Sequence, residues 1–314
     1  MVGRSPLLSV ALTIGMLGCT AGTNGVGGAG GTGSTASSPT MSGGTTSGFA
    51  QSNGSTGTGF GTASTGSSMD NCSEASKLVY VFSSDNEIYS FDPPSKKFTL
   101  LGSPDCNAGG AQPNSMAVDR NLVAWINYIG SVHTVSLDTL TGCKKALDLQ
   151  APYQQIGMGF ATNAVGSTDE TLFIDGIQGG GLAKIDTVSK TVTPIGAFSN
   201  DPNLQGQSAE LTGTGDARLF GYFTTNPVRV AQIDKSNANI VSDNTVTGFP
   251  TPSSWAFSFW GGALYLYAAD TFNNSRVIRY VPGTNDLDTN YIPDVGFTIV
   301  GAGVSTCAPT VPPS

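Results

Sequence analysis

Few residues in this 314-residue sequence could perform acid–base, nucleophilic or metal chemistry. It contains one His, His133, and five Cys, which excludes a His-cluster metal site and a two-His acid–base pair. His133 has no neighbour of its kind, and we expect a plain surface or pocket residue. The best candidate ligands for a hard cation are Glu210 and Asn114, whose oxygens would make half of such a site. The sequence therefore predicts no catalytic residue, no metal and no cofactor.

The charge of the chain limits the kinds of partner that electrostatics could hold. There are 14 Lys and Arg against 22 Asp and Glu, which gives a net charge of −8 and a pI of about 4.5. This balance argues against nucleic acid or an anionic membrane as a partner. A protein, peptide or glycan ligand remains compatible with it.

The N-terminus has the pattern of an export signal. One positive charge, Arg4, precedes an apolar run over 7–17 that is too short to span a bilayer as a stable helix. The run ends in the sequence MLGC at 16–19, which resembles a bacterial lipobox. The sequence predicts a lipoprotein signal peptide over 1–19, with Cys19 lipidated as the mature N-terminus. An ordinary cleaved signal with an incidental Cys is the alternative.

The next segment, 20–70, is rich in Gly, Ser and Thr, and its first charged residue is Asp70. Such a composition cannot bury enough apolar surface to offset the entropy lost on ordering. We therefore expect a disordered tether between a lipid anchor and a folded domain that spans 71–314. The lipid would be the chain's only attachment to a membrane.

From residue 71 onward, short strand-like runs recur at a fixed period. Each unit holds a Val-, Ile-, Phe- or Tyr-rich run and then a second run that ends near a turn, with Asp at 92, 138, 186 and 234. The steps between these Asp residues are 46 (92 to 138), 48 (138 to 186) and 48 (186 to 234), and Pro282 takes the next place. A period near 48 with about four strands per unit is typical of a β-propeller blade. We expect each Asp to accept backbone N–H groups of its turn rather than to bind calcium.

A third kind of segment, apolar and rich in small residues, precedes every unit except the first. The missing segment follows the fifth unit, as VGFTIVGAGVST from Val295. The sequence thus predicts an all-β, five-bladed β-propeller that is closed by pairing of the C-terminal strand into the first blade. Aligning these innermost strands places one set of side chains at the mouth of the central channel: Ser115, Gly157, Glu210, Trp255 and Gly296, with Asn114 adjacent.

Four Cys remain after Cys19, and an exported domain meets an oxidising compartment. Cys72 lies just before the first blade, and Cys307 follows the strand that completes the same blade. Cys106 follows the outer strand of the first blade, and Cys143 opens the outer strand of the second. The alignment therefore predicts the disulfides Cys72–Cys307 and Cys106–Cys143.

The segments PNSMAVDRNLVAWINY and LAKIDTVSKTVTPIG resemble the secreted and periplasmic propellers of the NHL, YVTN and quinoprotein-like group. With its lipobox and tether, the whole chain resembles propeller lipoproteins of myxobacteria. Quinoprotein dehydrogenases of this group carry a D-x-x-T-G-x-x-x-W motif. Asp138, Thr141 and Gly142 match that motif, but Ala146 stands where the Trp should be. The resemblance therefore implies the fold without a quinone cofactor.

Two functions remain open at this stage. The first is a non-enzymatic, surface-tethered and monomeric binding or scaffold module in the cell envelope, with Asn114, Ser115, Glu210 and Trp255 as the candidate ligand-binding residues. Trp260 and Tyr153 are further aromatic candidates for such a face, or pack between blades. The second is a metal-dependent hydrolase or lyase similar to gluconolactonase-like propellers, which would depend on Glu210 and Asn114. Converging carboxylates at the channel mouth would favour the enzyme, and an aromatic and amide surface would favour the binding module.

Overall fold

A computed structural model describes residues 72–272 and 274–313. The predicted signal peptide, the lipidation site Cys19 and the predicted tether lie outside the described residues. Within them, the chain forms five four-stranded antiparallel sheets arranged as a five-bladed β-propeller, and short 3-10 turns are found at Ala75–Lys77 and Ile177–Gly179. The predicted fold class is confirmed. No helix in the described part of the chain is long and apolar enough to cross a membrane.

In every blade the four strands lie side by side, in the following order from the innermost to the outermost strand. Blade 1 has β20 (Ile299–Val304), β1 (Val79–Ser83), β2 (Ile88–Asp92) and β3 (Lys97–Gly102). Blade 2 has β4 (Pro113–Val118), β5 (Val123–Tyr128), β6 (Ser131–Ser136) and β7 (Lys144–Asp148). Blade 3 has β8 (Ile156–Thr162), β9 (Glu170–Gly176), β10 (Gly181–Ile185) and β11 (Val192–Gly196). Blade 4 has β12 (Ala209–Gly213), β13 (Leu219–Phe223), β14 (Val228–Ile233) and β15 (Ile240–Val246). Blade 5 has β16 (Ser254–Trp260), β17 (Ala263–Ala269), β18 (Arg276–Val281) and β19 (Asp286–Ile292).

The ring closes as the sequence predicts, by pairing of the last strand with the first. Strand β20 runs antiparallel to β1, with Val304 opposite Val79 and Gly301 opposite Phe82. One detail of the prediction is wrong, because the strand begins at Ile299 and not at Val295. Closure removes a sheet edge that would otherwise be open for pairing with another chain.

Apolar side chains fill the gaps between neighbouring blades. The alternation of side chains along each strand gives every blade two apolar faces, and each face packs on the next blade around the ring. Between blades 2 and 3, for example, Trp125 packs with Phe160 at a centroid distance of 6.1 Å. Burial of these faces is the main apolar driving force for the fold.

Glycines let the innermost strands approach one another around the channel. A Cβ atom at Gly157 would lie 2.0 Å from the carbonyl oxygen of Ala209 on the next inner strand. A Cβ at Gly213 would lie 2.2 Å from the carbonyl oxygen of Phe160. Any side chain at these positions would therefore force blades 3 and 4 apart.

The repeated Asp residues act in turns, but not all in the same way. Asp186 accepts the backbone N–H groups of Val188 and Ser189, both at 2.8 Å, and these bonds lower the pKa of its carboxyl group. Asp234 accepts the N–H and the hydroxyl of Ser236 at 2.8 and 2.7 Å. The carboxylate of Asp92 accepts the hydroxyl of Ser95 instead of a backbone N–H. Asp138 differs again, because its own backbone N–H donates to the hydroxyl of Ser136. The structural role expected for this residue thus holds in blades 3 and 4.

Both predicted disulfides are present. Cys72 joins Cys307 across 235 residues of sequence, and Cys106 joins Cys143 across 37. The first links the two ends of the described chain beside the closing strand. The second connects the outer parts of blades 1 and 2.

Candidate functional site

The innermost strands all begin at the same end of the channel, and a pocket of about 190 Å³ lies there. We call this pocket the channel mouth. Its walls come from the inner strands of blades 1, 2, 4 and 5, from the loops before the inner strands of blades 3 and 5, and from the turn between β5 and β6. The residues that line it are Pro113, Asn114, Ile129, Gln155, Glu210, Ser253, Ser254, Trp255 and Val300. Three of the four residues singled out from the sequence therefore line one pocket. The fourth, Ser115, is fully buried and bonds to Glu210.

Glu210 and Ser115 make a hydrogen bond across the channel. Ser115 lies on β4 in blade 2 and Glu210 on β12 in blade 4, so the bonded residues belong to blades that are not neighbours in the ring. The Ser115 hydroxyl donates to Oε2 of Glu210 at 2.8 Å, and both side chains are buried. This bond links two blades through buried polar side chains, one of which, Glu210, lines the pocket.

Burial raises the pKa of Glu210 well above its ordinary value, and the nearby acid Asp175 raises it further. The hydrogen bond from Ser115 opposes both effects without cancelling them. Such surroundings favour the neutral, protonated form of the carboxyl group over the charged form. Glu210 brings two hydrogen-bonding oxygens to the mouth.

Asp175 is the residue of this site that sequence reasoning missed. It lies on β9, is 1% exposed, and accepts the backbone N–H of Ala209 at 2.6 Å through Oδ2. Its other oxygen, Oδ1, has no hydrogen-bond partner among the described residues. Burial raises the pKa of Asp175 well above 3.8. The sequence signal for this residue is an acidic side chain directly after the apolar run Leu172–Ile174, within a strand that is expected to be buried.

Asn114 serves mainly to join blades 2 and 3. Its Nδ2 donates to Oδ1 of Asn127 at 2.9 Å and to the carbonyl of Ile156 at 2.8 Å. Its Oδ1 accepts a bond from Nε2 of Gln155 at 2.8 Å. Since that oxygen is the atom with which Asn114 would coordinate a cation, the residue is already occupied by contacts within the protein.

The three aromatic candidates are in different places. Trp255 is half-buried at the channel mouth, and its indole Nε1 has no hydrogen-bond partner among the described residues. Trp260, at the far end of the same strand, donates its Nε1 to the carbonyl of Lys77 at 2.8 Å. Tyr153 is buried and donates its hydroxyl to the carbonyl of Gly180 at 3.0 Å. Of these three aromatic residues, Trp255 alone lines the channel mouth, although its Nε1 atom is itself buried.

Side chains of the types that bind metals cluster elsewhere. In the residues that the structure describes, Cys106, His133 and Cys143 form the one group of three potential ligands within 4.8 Å of one another. Both sulfurs belong to a disulfide, so neither is a free thiolate. His133 is 3% exposed, which corrects the expectation of a surface or pocket residue, and burial lowers its pKa.

Neither a family model nor a curated protein matches this sequence. Solved structures that resemble it are β-propeller proteins of varied function. A nidogen/laminin complex gives a TM-score of 0.45 at 11% identity, over 72% of this chain and 97% of that one. A regucalcin described as a calcium-binding protein, from Agrobacterium tumefaciens, gives 0.42 at 12% identity, over 64% and 68%. Virginiamycin B lyase from Staphylococcus aureus gives 0.40 at 14% identity, over 69% and 70%. The shared feature is the propeller fold.

Proposed function

We propose that this protein is an exported, non-enzymatic binding module whose ligand enters the channel mouth. The observation that carries the proposal is the half-buried indole of Trp255, which lines the same pocket as Glu210 and the Gln155 amide. An aromatic surface beside polar side chains in a partly apolar pocket is suited to an uncharged polar ligand.

The size and lining of the pocket favour a sugar residue as the bound group. Its volume of about 190 Å³ is below the range of roughly 300–1,000 Å³ that is usual for small-molecule sites. It can therefore hold one residue of a larger ligand. The indole of Trp255 presents an apolar body with a polar edge. Serine hydroxyls and the Gln155 amide complete a lining that suits the neutral hydroxyls of a glycan better than a charged peptide.

The binding test uses two tryptophans on the same strand, β16. With a panel of neutral oligosaccharides, we expect Trp255→Ala to weaken binding about tenfold, since an aromatic contact is worth about 1 kcal/mol. Trp260→Ala is the matched control, because Trp260 packs and bonds within the protein, and its loss should lower stability without changing affinity. Calorimetry with both variants separates these effects. Equal affinity of Trp255→Ala and the wild type, or binding of uncharged peptides alone, would contradict the proposed glycan site.

We further propose that the domain is anchored in the cell envelope through a lipid on Cys19, as in the myxobacterial lipoproteins that the sequence resembles. The two disulfides support export, because such bonds persist in oxidising compartments. Two or more acyl chains anchor stably, whereas one anchors only marginally. Mass spectrometry of the membrane-extracted protein should find the lipid on an N-terminal Cys19 peptide. Membrane retention of Cys19→Ser would contradict the anchor.

A metal-dependent hydrolase is the second candidate, and one observation favours it. Asp175, whose Oδ1 has no hydrogen-bond partner in the part of the chain that the structure describes, raises the pKa of Glu210 through its charge, so the two acids lie near each other. A divalent cation between them would restore the ionised form of both. Calorimetric titration with Ca²⁺ tests this idea. Binding that Glu210→Gln abolishes would support the enzyme, and no heat of binding by the wild type would exclude a calcium site there.

A further inference from the structure

The two disulfides are similarly half-exposed but have different electrostatic surroundings. Beside Cys106–Cys143 lies Asp105, whose carboxylate accepts the backbone N–H groups of Cys143 and Gly142 at 2.8 Å each. These bonds lower the pKa of Asp105, so it carries a negative charge next to the sulfurs. In the described part of the chain, no cationic side chain donates a hydrogen bond to either sulfur of this pair. A thiolate formed there would be repelled by its neighbour.

Beside Cys72–Cys307 lies a guanidinium group instead. Nη2 of Arg120 donates to Sγ of Cys72 at 3.3 Å, and Nη1 donates to Oγ1 of Thr306 at 3.1 Å. The Thr306 hydroxyl in turn donates to Oε2 of Glu170 at 2.7 Å, and the backbone N–H of Arg120 donates to Oε1 of Glu170 at 2.9 Å. The guanidinium is thus held in place on one sulfur of the disulfide.

The guanidinium of Arg120 is not engaged in an ion pair with any described residue. Lys77 is paired with Glu74 at 2.7 Å, and Asp216 is paired with Arg218 at 2.9 Å. Burial raises the pKa of Glu170, while its hydrogen bonds from Thr306 and the Arg120 backbone and the charge of Arg120 oppose that rise.

The disulfide is also open to a reagent from solvent. Cys72 and Cys307 both line a pocket of about 400 Å³ at the end of the channel opposite the mouth, together with Lys77 and Arg120. An anionic thiolate that enters this pocket meets the guanidinium of Arg120 and the S–S bond, while the other charged side chains of the lining, Lys77 and Asp216, are held in ion pairs. The positive charge of Arg120 and the opening of the disulfide to the pocket therefore both favour attack by a thiolate.

We propose that Cys307 is a site of thiol–disulfide exchange, and that it takes a low-molecular-weight thiol. The incoming thiolate attacks Sγ of Cys307 and forms a mixed disulfide with it. The Cys72–Cys307 bond breaks, and its electron pair leaves on Sγ of Cys72 as a thiolate. The guanidinium of Arg120 stabilises that leaving thiolate, which directs attack to Cys307 because a thiol of lower pKa leaves faster. The β1–β20 pairing remains, so exchange opens the covalent link between the chain ends without opening the ring.

Reduced glutathione, added at neutral pH to the full-length protein and quenched with iodoacetamide, tests the direction of attack. Peptide mass spectrometry should find glutathione on Cys307 and the alkyl group on Cys72, with a preference of about tenfold, which is the effect of one charge-assisted hydrogen bond on the leaving sulfur. The Cys106–Cys143 pair in the same molecule is the internal control, and it should react more slowly. Glutathione found equally on both sulfurs, or faster reaction of Cys106–Cys143, would overturn the proposal.

Two variants isolate the contribution of Arg120. Arg120→Gln should remove the preference for Cys307, and Arg120→Lys should keep part of it, since the positive charge remains without the planar guanidinium. The rate at Cys106–Cys143 reports whether either variant has disturbed the fold, because that pair lies elsewhere in the molecule. An unchanged preference in Arg120→Gln, with an unchanged rate at Cys106–Cys143, would show that Arg120 does not direct the exchange.

Discussion

Removing each disulfide separately should destabilise the propeller by amounts that follow the length of chain that each one closes. The two perturbations are the double variants Cys72→Ser/Cys307→Ser and Cys106→Ser/Cys143→Ser. Serine is nearly the size of cysteine and leaves no free thiol to form new bonds. Because each pair is removed as a unit, neither variant retains a reactive partner.

The magnitudes come from the sequence separations of 235 and 37 residues. In the chain-entropy relation, a disulfide stabilises by restricting the unfolded chain, which gives about 5.5 kcal/mol for the longer loop and about 4 kcal/mol for the shorter one. A compact unfolded state reduces both figures, so these are upper values. The difference between the variants, about 1.5 kcal/mol, depends only on the ratio of the two lengths.

Urea unfolding of the full-length protein, followed by tryptophan fluorescence, measures both losses. Because a reduced protein has lost both bonds, the wild type under reducing conditions should fall below either variant. We expect the Cys72–Cys307 variant to be the less stable of the two. A larger loss in the Cys106–Cys143 variant would refute the loop-length reasoning. It would show that local contacts of the second pair, and not chain entropy, govern the effect.

Three further predictions concern the inner strands. Gly157→Ala should cost about 3 kcal/mol in urea unfolding through backbone overlap, and Gly159→Ala should cost less because its nearest backbone contact is 2.9 Å instead of 2.0 Å. Because burial raises the pKa of Asp175, the folded state retains a proton that the unfolded chain loses, so wild-type stability should fall as the pH rises above the ordinary Asp value of 3.8, and Asp175→Asn should flatten that fall. Ser115→Ala should cost about 1–2 kcal/mol at pH 7, measured in the same way, because it removes the partner of buried Glu210.

The architecture could be predicted because its signals are local and repeated. One turn in each of the first four units is marked by an Asp at nearly constant spacing: Asp92, Asp138, Asp186 and Asp234. The strand-length runs around them are rich in β-branched and aromatic residues. The first unit lacks an inner strand and the chain has one left over at its end. Closure of the ring follows from that mismatch, and the disulfide pairing follows from closure.

The start of the closing strand could not be predicted, since the residues before it look like a strand. Val295 and Phe297 have the alternation of a strand, but Gly296 has a φ of +91° and its N–H bonds Oδ1 of Asp294. The backbone turns there and joins the sheet only at Ile299. As a result, Val300 and not Gly296 takes the place at the channel mouth.

The site was harder to predict than the fold because its contacts join residues of different blades. Position along the inner strands placed Asn114, Glu210 and Trp255 at one end of the channel, where the structure brings them into one pocket. The partner of Asp175, in contrast, is the backbone N–H of Ala209 in the next blade, 34 residues away in sequence. No spacing rule identifies that contact, because it depends on how closely two blades approach.

The two ends of the channel differ in charge because burial affects acids and arginine differently. A carboxyl group can respond to burial by keeping its proton, and burial raises the pKa of Glu210 and Asp175 in that direction. A guanidinium group cannot lose its charge in a protein, so Arg120 stays cationic and must be held by neutral acceptors and a sulfur at the edge of solvent. These differences support the two proposals above, a neutral polar ligand at the mouth and a thiolate in the opposite pocket. The two ends of the channel in one net-acidic chain would then bind different classes of ligand.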